Sequence, residues 1–336
     1  MDKADKILSI QYLRGLAAIA VVCCHFGFAL SAHPALRSIL NGGQVGVPVF
    51  FLISGFIIVH ALEQNGYQPG MFLIFLFKRS VRIDPPYWAM IALYIALGYF
   101  LNQLPAYQGM RFAFHPGQLA AHLLYVIPFT SYRYYNNVFW TLNVEFQFYI
   151  LIGLFYFLSA NKIYRSIFLI AFAALGLLHS GNEGLIFHYG AIFAAGIAFR
   201  NFCVDSNSVS AVLTVLFLGV AGYRFGLTVS AVLLGCCFAI RLANRPFPPL
   251  YFLGQISYSL YLTHSFILEV VTGLIKRFAG GLVPYQLNCF FIELMAAILF
   301  AYLFYLFIER PALRVSKHIV YQRTKRRSVK SSSVQR

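Results

Sequence analysis

Long apolar runs recur along almost the whole of this chain. Ten stand out: Ile7–Leu30, Val45–Leu62, Ile83–Leu101, Trp140–Leu158, Ile163–Leu178, Leu185–Phe199, Val209–Tyr223, Leu227–Ile240, Leu250–Ile275 and Leu287–Ile308. A bilayer-spanning helix needs about 20 mostly apolar residues, and several of these runs reach that length. Only 11% of the 336 residues are charged and 60% are hydrophobic, against roughly 25% charged in a soluble domain. Such a chain cannot keep its apolar surface from water as a soluble globule. An all-α integral membrane protein is expected, a polytopic bundle of about ten transmembrane helices. Leu119–Phe129 is too short to span and leads into polar Thr130–Arg133, so a re-entrant or interfacial segment is expected there. Aromatic residues make up 18%, more than interfacial belts use, so many must pack inside the bundle or line a cavity.

The charge distribution gives an orientation. With the amino terminus in the cytoplasm, Lys3, Lys6, Lys78, Arg79, Arg82, Lys162, Arg165, Arg200, Arg241 and Arg245 fall inside, as does the tail from Arg310. Arg37, Arg111, Arg133, Arg224, Lys276 and Arg277 fall outside. The excess of basic residues on the inner side places both termini in the cytoplasm, which requires an even number of spans. The organisation expected is one membrane domain over 1–310 and a basic cytoplasmic tail over 311–336, disordered or lying along the inner leaflet. The net charge of +16 then reflects contact with anionic lipid; no soluble basic domain exists to dock on nucleic acid. Cys23, Cys24, Cys203, Cys236, Cys237 and Cys289 sit mostly in apolar runs without C-x-x-C spacing. They read as small buried residues, with no disulfide framework or metal site. No cleavable signal is expected, although Ala29-Leu30-Ser31 has a cleavage-like composition.

Against this background the ionisable residues inside the runs are costly and therefore informative. Arg14 and His25 are eleven residues apart in the first run, about three helical turns and roughly 16 Å, with about 20° of angular drift. Both share one face, and that face should look into the bundle, with Arg14 in the cytoplasmic half and His25 towards the outer half. Glu145, in Phe139–Tyr149, comes to about the depth of His25. Histidine is a natural partner for it there, the alternative being a hydrogen-bonded structural glutamate. Arg79 and Arg82, three apart, share a helix face at the cytoplasmic edge before Ile83. They serve either as a positive-inside anchor or as a phosphate clamp.

Ser54, Tyr149, Tyr258, Tyr261 and His264 are candidate cavity-lining residues. Ser54 stands beside Pro48 and Gly55, where small residues commonly permit close helix packing. The hydroxyls and His264 in Ile256–His264 fit cavity lining and interhelical hydrogen bonding equally. Glu309-Arg310-Pro311 ends the last run, with proline as a helix stop and a mainly structural role. Glu269 and Glu293 are acids without a nameable partner.

Taken in order, Tyr12-Leu-Arg-Gly-Leu-Ala-Ala with His25, Val47–Phe56, Arg79-x-x-Arg82-Ile-x-Pro85-x-Tyr87, Trp140–Tyr149, Ser257–His264 and Ile308-Glu-Arg-Pro311 resemble the acyltransferase-3 family of integral membrane acyltransferases, over about residues 7–311. Phe146 departs from the pattern, since members often carry glutamate or tryptophan there. The resemblance implies a ten-helix bundle in the bacterial inner membrane. It also implies transfer of an acyl group, commonly acetyl, from cytoplasmic acyl-CoA to a hydroxyl of an exported or cell-surface glycan or glycolipid, with no bound cofactor. Some members carry a fused esterase-like domain, which this sequence does not show. In the mechanism it suggests, Arg79 and Arg82 hold the donor's phosphates and Arg14 contacts the pantetheine arm or diphosphate. His25 is the general base, oriented by Glu145; an acyl-histidine intermediate is a second route. A transporter or flippase of a glycan-lipid or small solute is the alternative, because intramembrane charges also mark transport pathways; no internal repeat favours it.

Overall fold

The computed structural model describes residues 3–27, 30, 33–105, 111–178, 182–242, 247–278 and 287–320. Most of the basic tail, Arg245, and Ala29 and Ser31 of the cleavage-like site lie outside them. The described residues form helices and connecting turns without a strand: α1 (Lys3–Gly27), α2 (Pro34–Asn41), α3 (Gly46–Gln64), α4 (Phe72–Asn102), α5 (Pro116–Leu123), α6 (Trp140–Phe155), α7 (Lys162–Leu178), α8 (Gly190–Asp205), α9 (Ser208–Phe225), α10 (Leu227–Leu242), α11 (Pro248–Gln255), α12 (Ser257–Phe278), α13 (Leu287–Phe304) and α14 (Arg310–His318).

Local chemistry sets many of these limits. Proline occupies the first turn of α2, α5 and α11, where its missing N–H is not needed. Asn207 caps α9 by accepting from the Val209 N–H at 3.1 Å, satisfying one of the orphan donors at a helix start. Gly226, at φ +95°, ends α9 in a conformation that favours glycine.

Among the described residues, six helical stretches are long and apolar enough to cross a membrane: Leu8–Gly27, Pro34–Gln64, Asn137–Leu158, Ser208–Phe225, Ser257–Ile275 and Leu287–His318. The other expected spans are also largely helical, but α7, α8 and α10 are short and α4 carries Lys78, Arg79, Arg82 and Asp84 within its length.

Three boundaries differ from expectation. Arg79 and Arg82 lie within α4, not ahead of a helix, and Pro85 and Pro86 follow inside the same helix. The carbonyls of Val81 and Arg82 therefore lack their usual helical donors. Leu250–Ile275 breaks at Ile256 into α11 and α12. The last helix does not stop at Pro311: it passes through a π-helical turn, Tyr305–Glu309, into α14, where Pro311 is tolerated in the first turn. The extra residue of a π turn rotates side chains relative to the α-helical frame, a device often found at functional sites.

The core is built on α3, which packs against α8 backbone to backbone. A Cβ added at Gly55 would strike the carbonyl oxygen of Phe193, and one at Gly196 would strike that of Leu52. Phe51, Phe56, Phe148 and Phe193 fill the surrounding space, with Phe148 and Phe193 stacked at 4.3 Å. The close packing expected of Ser54 thus belongs to its neighbour Gly55.

The short segment after α4 does not span. α5 turns His122 fully inward while Leu124 and Phe129 stay exposed. The Tyr135 N–H donates to His122 Nε2 at 3.2 Å. On the other side of the ring, Nδ1 shares a 2.8 Å hydrogen bond with the Tyr87 hydroxyl. Tyr125, at φ +57°, donates to Asp84 at 2.8 Å and stacks on Phe146 at 4.3 Å. Glu293, fully buried, is not partnerless: it accepts from Thr272 at 2.7 Å.

Candidate active site

A cavity of about 240 Å3 opens in the bundle between α1, α3, α4, α6 and α12, with Glu309 of the π turn on its wall. Its polar lining includes Arg14, Arg79 and Arg82, together with Glu145, Glu309, Ser54, Tyr149, Tyr258 and Tyr261. Most of the apolar lining comes from α3, including Phe50, Phe51, Ile53 and Ile57, with Ile10, Ile83 and Leu142 added by α1, α4 and α6.

Each charged group is placed by its helix. Arg14 follows Gln11 by one turn on α1, and both reach the cavity. That helix can sit against α11 because Gly254 carries no side chain: a Cβ there would meet the Gln11 carbonyl oxygen. Arg79 and Arg82 project together from α4 as their spacing requires. The Arg79 guanidinium lies 5.6 Å from the ring centres of both Phe75 and Tyr149, within cation–π range. Across from it, Glu145 Oε1 accepts from the Tyr149 hydroxyl at 2.5 Å and from Ser54 at 3.2 Å. Glu309 Oε2 accepts from the Ser259 hydroxyl at 2.6 Å and the Ser259 N–H at 3.1 Å. Tyr258 donates to the Ile83 carbonyl at 2.8 Å, tying α12 to α4 beside the prolines.

Three guanidiniums in one intramembrane cavity would cost about 9 kcal/mol at roughly 3 kcal/mol each on insertion scales. Glu145 and Glu309 offset part of that. The lining carries three guanidiniums against two carboxylates, a balance suited to an anionic ligand.

His25 is not part of the cavity lining. It stands beside the fully buried His264, with ring centres 4.8 Å apart and His264 Nε2 3.2 Å from His25 Nδ1. His25 Nδ1 is also 3.0 Å from the Val21 carbonyl, and His264 Nδ1 is 2.7 Å from the Tyr261 carbonyl. Tyr261 touches both regions: its side chain lines the cavity, its ring centre is 5.8 Å from that of His264, and its hydroxyl shares a 3.0 Å hydrogen bond with Thr141.

The structure thus gathers Arg14, Arg79, Arg82, Glu145, Ser54, Tyr149, Tyr258 and Tyr261 around one space. It separates the expected His25–Glu145 pair. Glu145 is held by Ser54 and Tyr149 because Tyr149 follows it by one helical turn, the spacing at which side chains meet. Glu309, read from sequence as structural, lines the cavity; the signal was an acid directly at the end of the last apolar run, two residues ahead of a proline. Gln11 was signalled by its place one turn before Arg14. Tyr258 and Tyr261 line the cavity as expected, whereas His264, also expected there, lies outside the lining and bonds across to His25 of α1.

Residues 7–310 match the acyltransferase domain of the acyltransferase-3 family. The chain is 26% identical over 307 residues to an acetyltransferase-named protein of Acidianus two-tailed virus, covering 82% of this chain and 87% of that protein. It is 23% identical over 370 residues to the O-acetyltransferase OatA of Staphylococcus aureus, covering 92% of this chain. The chain spans 58% of the length of that staphylococcal relative. No solved structure matches.

Proposed function

The chain belongs to the acyltransferase-3 family, a membrane-embedded acyltransferase built on apolar helices, and from that premise we propose an O-acetyltransferase that uses cytoplasmic acetyl-CoA to acylate a hydroxyl of an exported or cell-surface glycan. All ten apolar stretches cross the inner membrane and both termini are cytoplasmic in this reading, with the basic excess on the inner side. The observation that carries it is the convergence of Arg14, Arg79 and Arg82 on one cavity inside an apolar bundle.

Arg79 and Arg82 hold the donor's phosphates by charge-assisted hydrogen bonds. Phe75 and Tyr149 keep the Arg79 guanidinium in place from the side. Arg14 lies deeper on α1 and meets the polar part of the pantetheine arm. The axial offset of roughly 16 Å from Arg14 to His25 is comparable to the reach of that arm. Tyr261 stands between the cavity and the histidine pair, so its side chain turns aside for the acyl end to reach His25.

His25 then acts as general base. It takes the proton of the acceptor hydroxyl, whose oxygen forms a bond to the thioester carbonyl carbon. The tetrahedral intermediate collapses with cleavage of the C–S bond, and the imidazolium returns the proton to the departing CoA thiolate. The products are the O-acyl ester and free CoA. Glu145 balances the guanidiniums and fixes Tyr149 and Ser54 in the wall; orientation of His25 is left to other groups.

Membranes containing the protein, incubated with radiolabelled acetyl-CoA and a cell-envelope glycan fraction, should yield alkali-labile label in the glycan. Label that never leaves acetyl-CoA would overturn the assignment.

A further inference from the structure

Two backbone carbonyls fix how the histidine pair is protonated. A carbonyl oxygen only accepts, so the 2.7 Å contact between His264 Nδ1 and the Tyr261 carbonyl requires the proton of neutral His264 to sit on Nδ1. Its Nε2 is then an acceptor. The same reasoning applied to His25, whose Nδ1 lies 3.0 Å from the Val21 carbonyl, puts the His25 proton on Nδ1. That N–H is shared between Val21 O and His264 Nε2, 3.2 Å away. The lone pair of His25 is left on Nε2. Hydrogen bonding at one ring nitrogen decides the state of the other in this way wherever an imidazole serves as a base.

We propose that His264 is the positioning residue of the reaction: by accepting from His25 Nδ1–H it holds His25 in the tautomer and orientation that present Nε2 to the acceptor hydroxyl. This rests on the assignment of His25 as general base.

The surroundings suit the task. His264 is fully buried and sits on α12, a different helix from His25, so the contact also fixes α1 against α12. The Ser265 hydroxyl lies 3.2 Å from His264 Nε2 and shares the same lone pair. When His25 Nε2 takes a proton from the acceptor, the Nδ1–H···Nε2 contact strengthens, since the donor is then cationic. The base is thereby stabilised at the moment its charge appears. Glu145, the group expected from the sequence to do this, bonds instead to Ser54 and Tyr149.

The test compares His264→Leu, which removes the acceptor, with His264→Gln, which can place Oε1 where Nε2 stood while its amide N–H group donates to the Tyr261 carbonyl. In wild-type-like membranes supplied with acetyl-CoA and the glycan fraction, His264→Leu should lower kcat about a hundredfold, with the KM for acetyl-CoA within about twofold. His264→Gln should recover most of that loss. A His264→Leu enzyme with wild-type kcat, a loss confined to KM, or a His264→Gln enzyme no better than His264→Leu would overturn the proposal.

A second measurement needs no turnover. In protein labelled with 15N-histidine, with the His25 signals identified by their loss in His25→Ala, wild-type His25 should be protonated at Nδ1 at neutral pH. It should become a tautomer mixture in His264→Leu. A wild-type His25 protonated at Nε2 contradicts the inference even if the protein fails to transfer acetyl groups. Failure of transfer with the expected tautomer overturns only the assigned activity.

Discussion

The Tyr149 hydroxyl donates to Glu145 Oε1 at 2.5 Å while the Tyr149 ring lies 5.6 Å from the Arg79 guanidinium. One side chain thus couples the carboxylate wall of the cavity to the arginine proposed to hold phosphate. Tyr149→Phe keeps the ring and removes the donor. A hydrogen bond to a charged group contributes about 1.5–3 kcal/mol. The variant should therefore raise the KM for acetyl-CoA about tenfold while expressing at wild-type levels; an unchanged KM would show that Glu145 and Arg79 act separately.

Arg79→Ala combined with Arg82→Ala should raise the KM for acetyl-CoA by at least a hundredfold, since two charge-assisted contacts are lost at about 1.5–3 kcal/mol each. The kcat at saturating donor should change little. Arg79→Lys should rescue only in part, because an ammonium lacks the planar fork that grips phosphate and stacks on Tyr149. Steady-state kinetics over a range of acetyl-CoA concentrations decides this; donor dependence equal to wild type would remove both arginines from the phosphate site.

Gly55→Leu should destabilise the bundle from a position outside the cavity lining. Any side chain at this position meets the Phe193 carbonyl, and rigid backbone cannot give way as a flexible side chain could. Overpacking typically costs about 1–3 kcal/mol. The detergent-solubilised variant should melt several degrees below wild type, and an unchanged Tm would mean α3 and α8 are not in backbone contact.

Protonation of His122 supplies a pH dependence of stability. Burial in the segment after α4 lowers its folded pKa to about 4, against about 6.5 for an unfolded histidine. The unfolded state therefore binds the proton first. Stability present at neutral pH should be lost as the pH falls from about 6.5 towards 4, by a few kcal/mol at most. His122→Gln keeps a donor and an acceptor but cannot titrate. Thermal melts at pH 7.5 and 5 should show a larger drop for wild type than for the variant; equal drops would place the acid sensitivity elsewhere.

The apolar runs made the helical membrane class legible, because few other structures can bury that much apolar surface. Arg14 was legible for the same reason, since a charge inside a span needs an interior; Arg79 and Arg82 read as an edge anchor or phosphate clamp ahead of Ile83, and their place inside α4, beside Arg14 on one cavity, was not legible. Nor were partnerships across helices. Glu145 went to Tyr149 because a neighbour at i+4 is always within reach, and its second partner, Ser54 of α3 in place of His25 of α1, was decided by helix packing that the sequence does not display. Glu309 was hidden by Pro311, which reads as a stop but sits in the first turn of a further helix. The π turn before it has no sequence signal, and that turn carries the Glu309 carboxylate to Ser259.

The most direct measurement is transfer of labelled acetyl from acetyl-CoA to the glycan fraction by membranes holding equal amounts of wild-type protein or His25→Ala. General-base removal typically costs about a hundredfold to ten-thousandfold, so wild type should label the glycan and His25→Ala should fall to background. Equal labelling by both would contradict the placement of the reaction at the histidine pair.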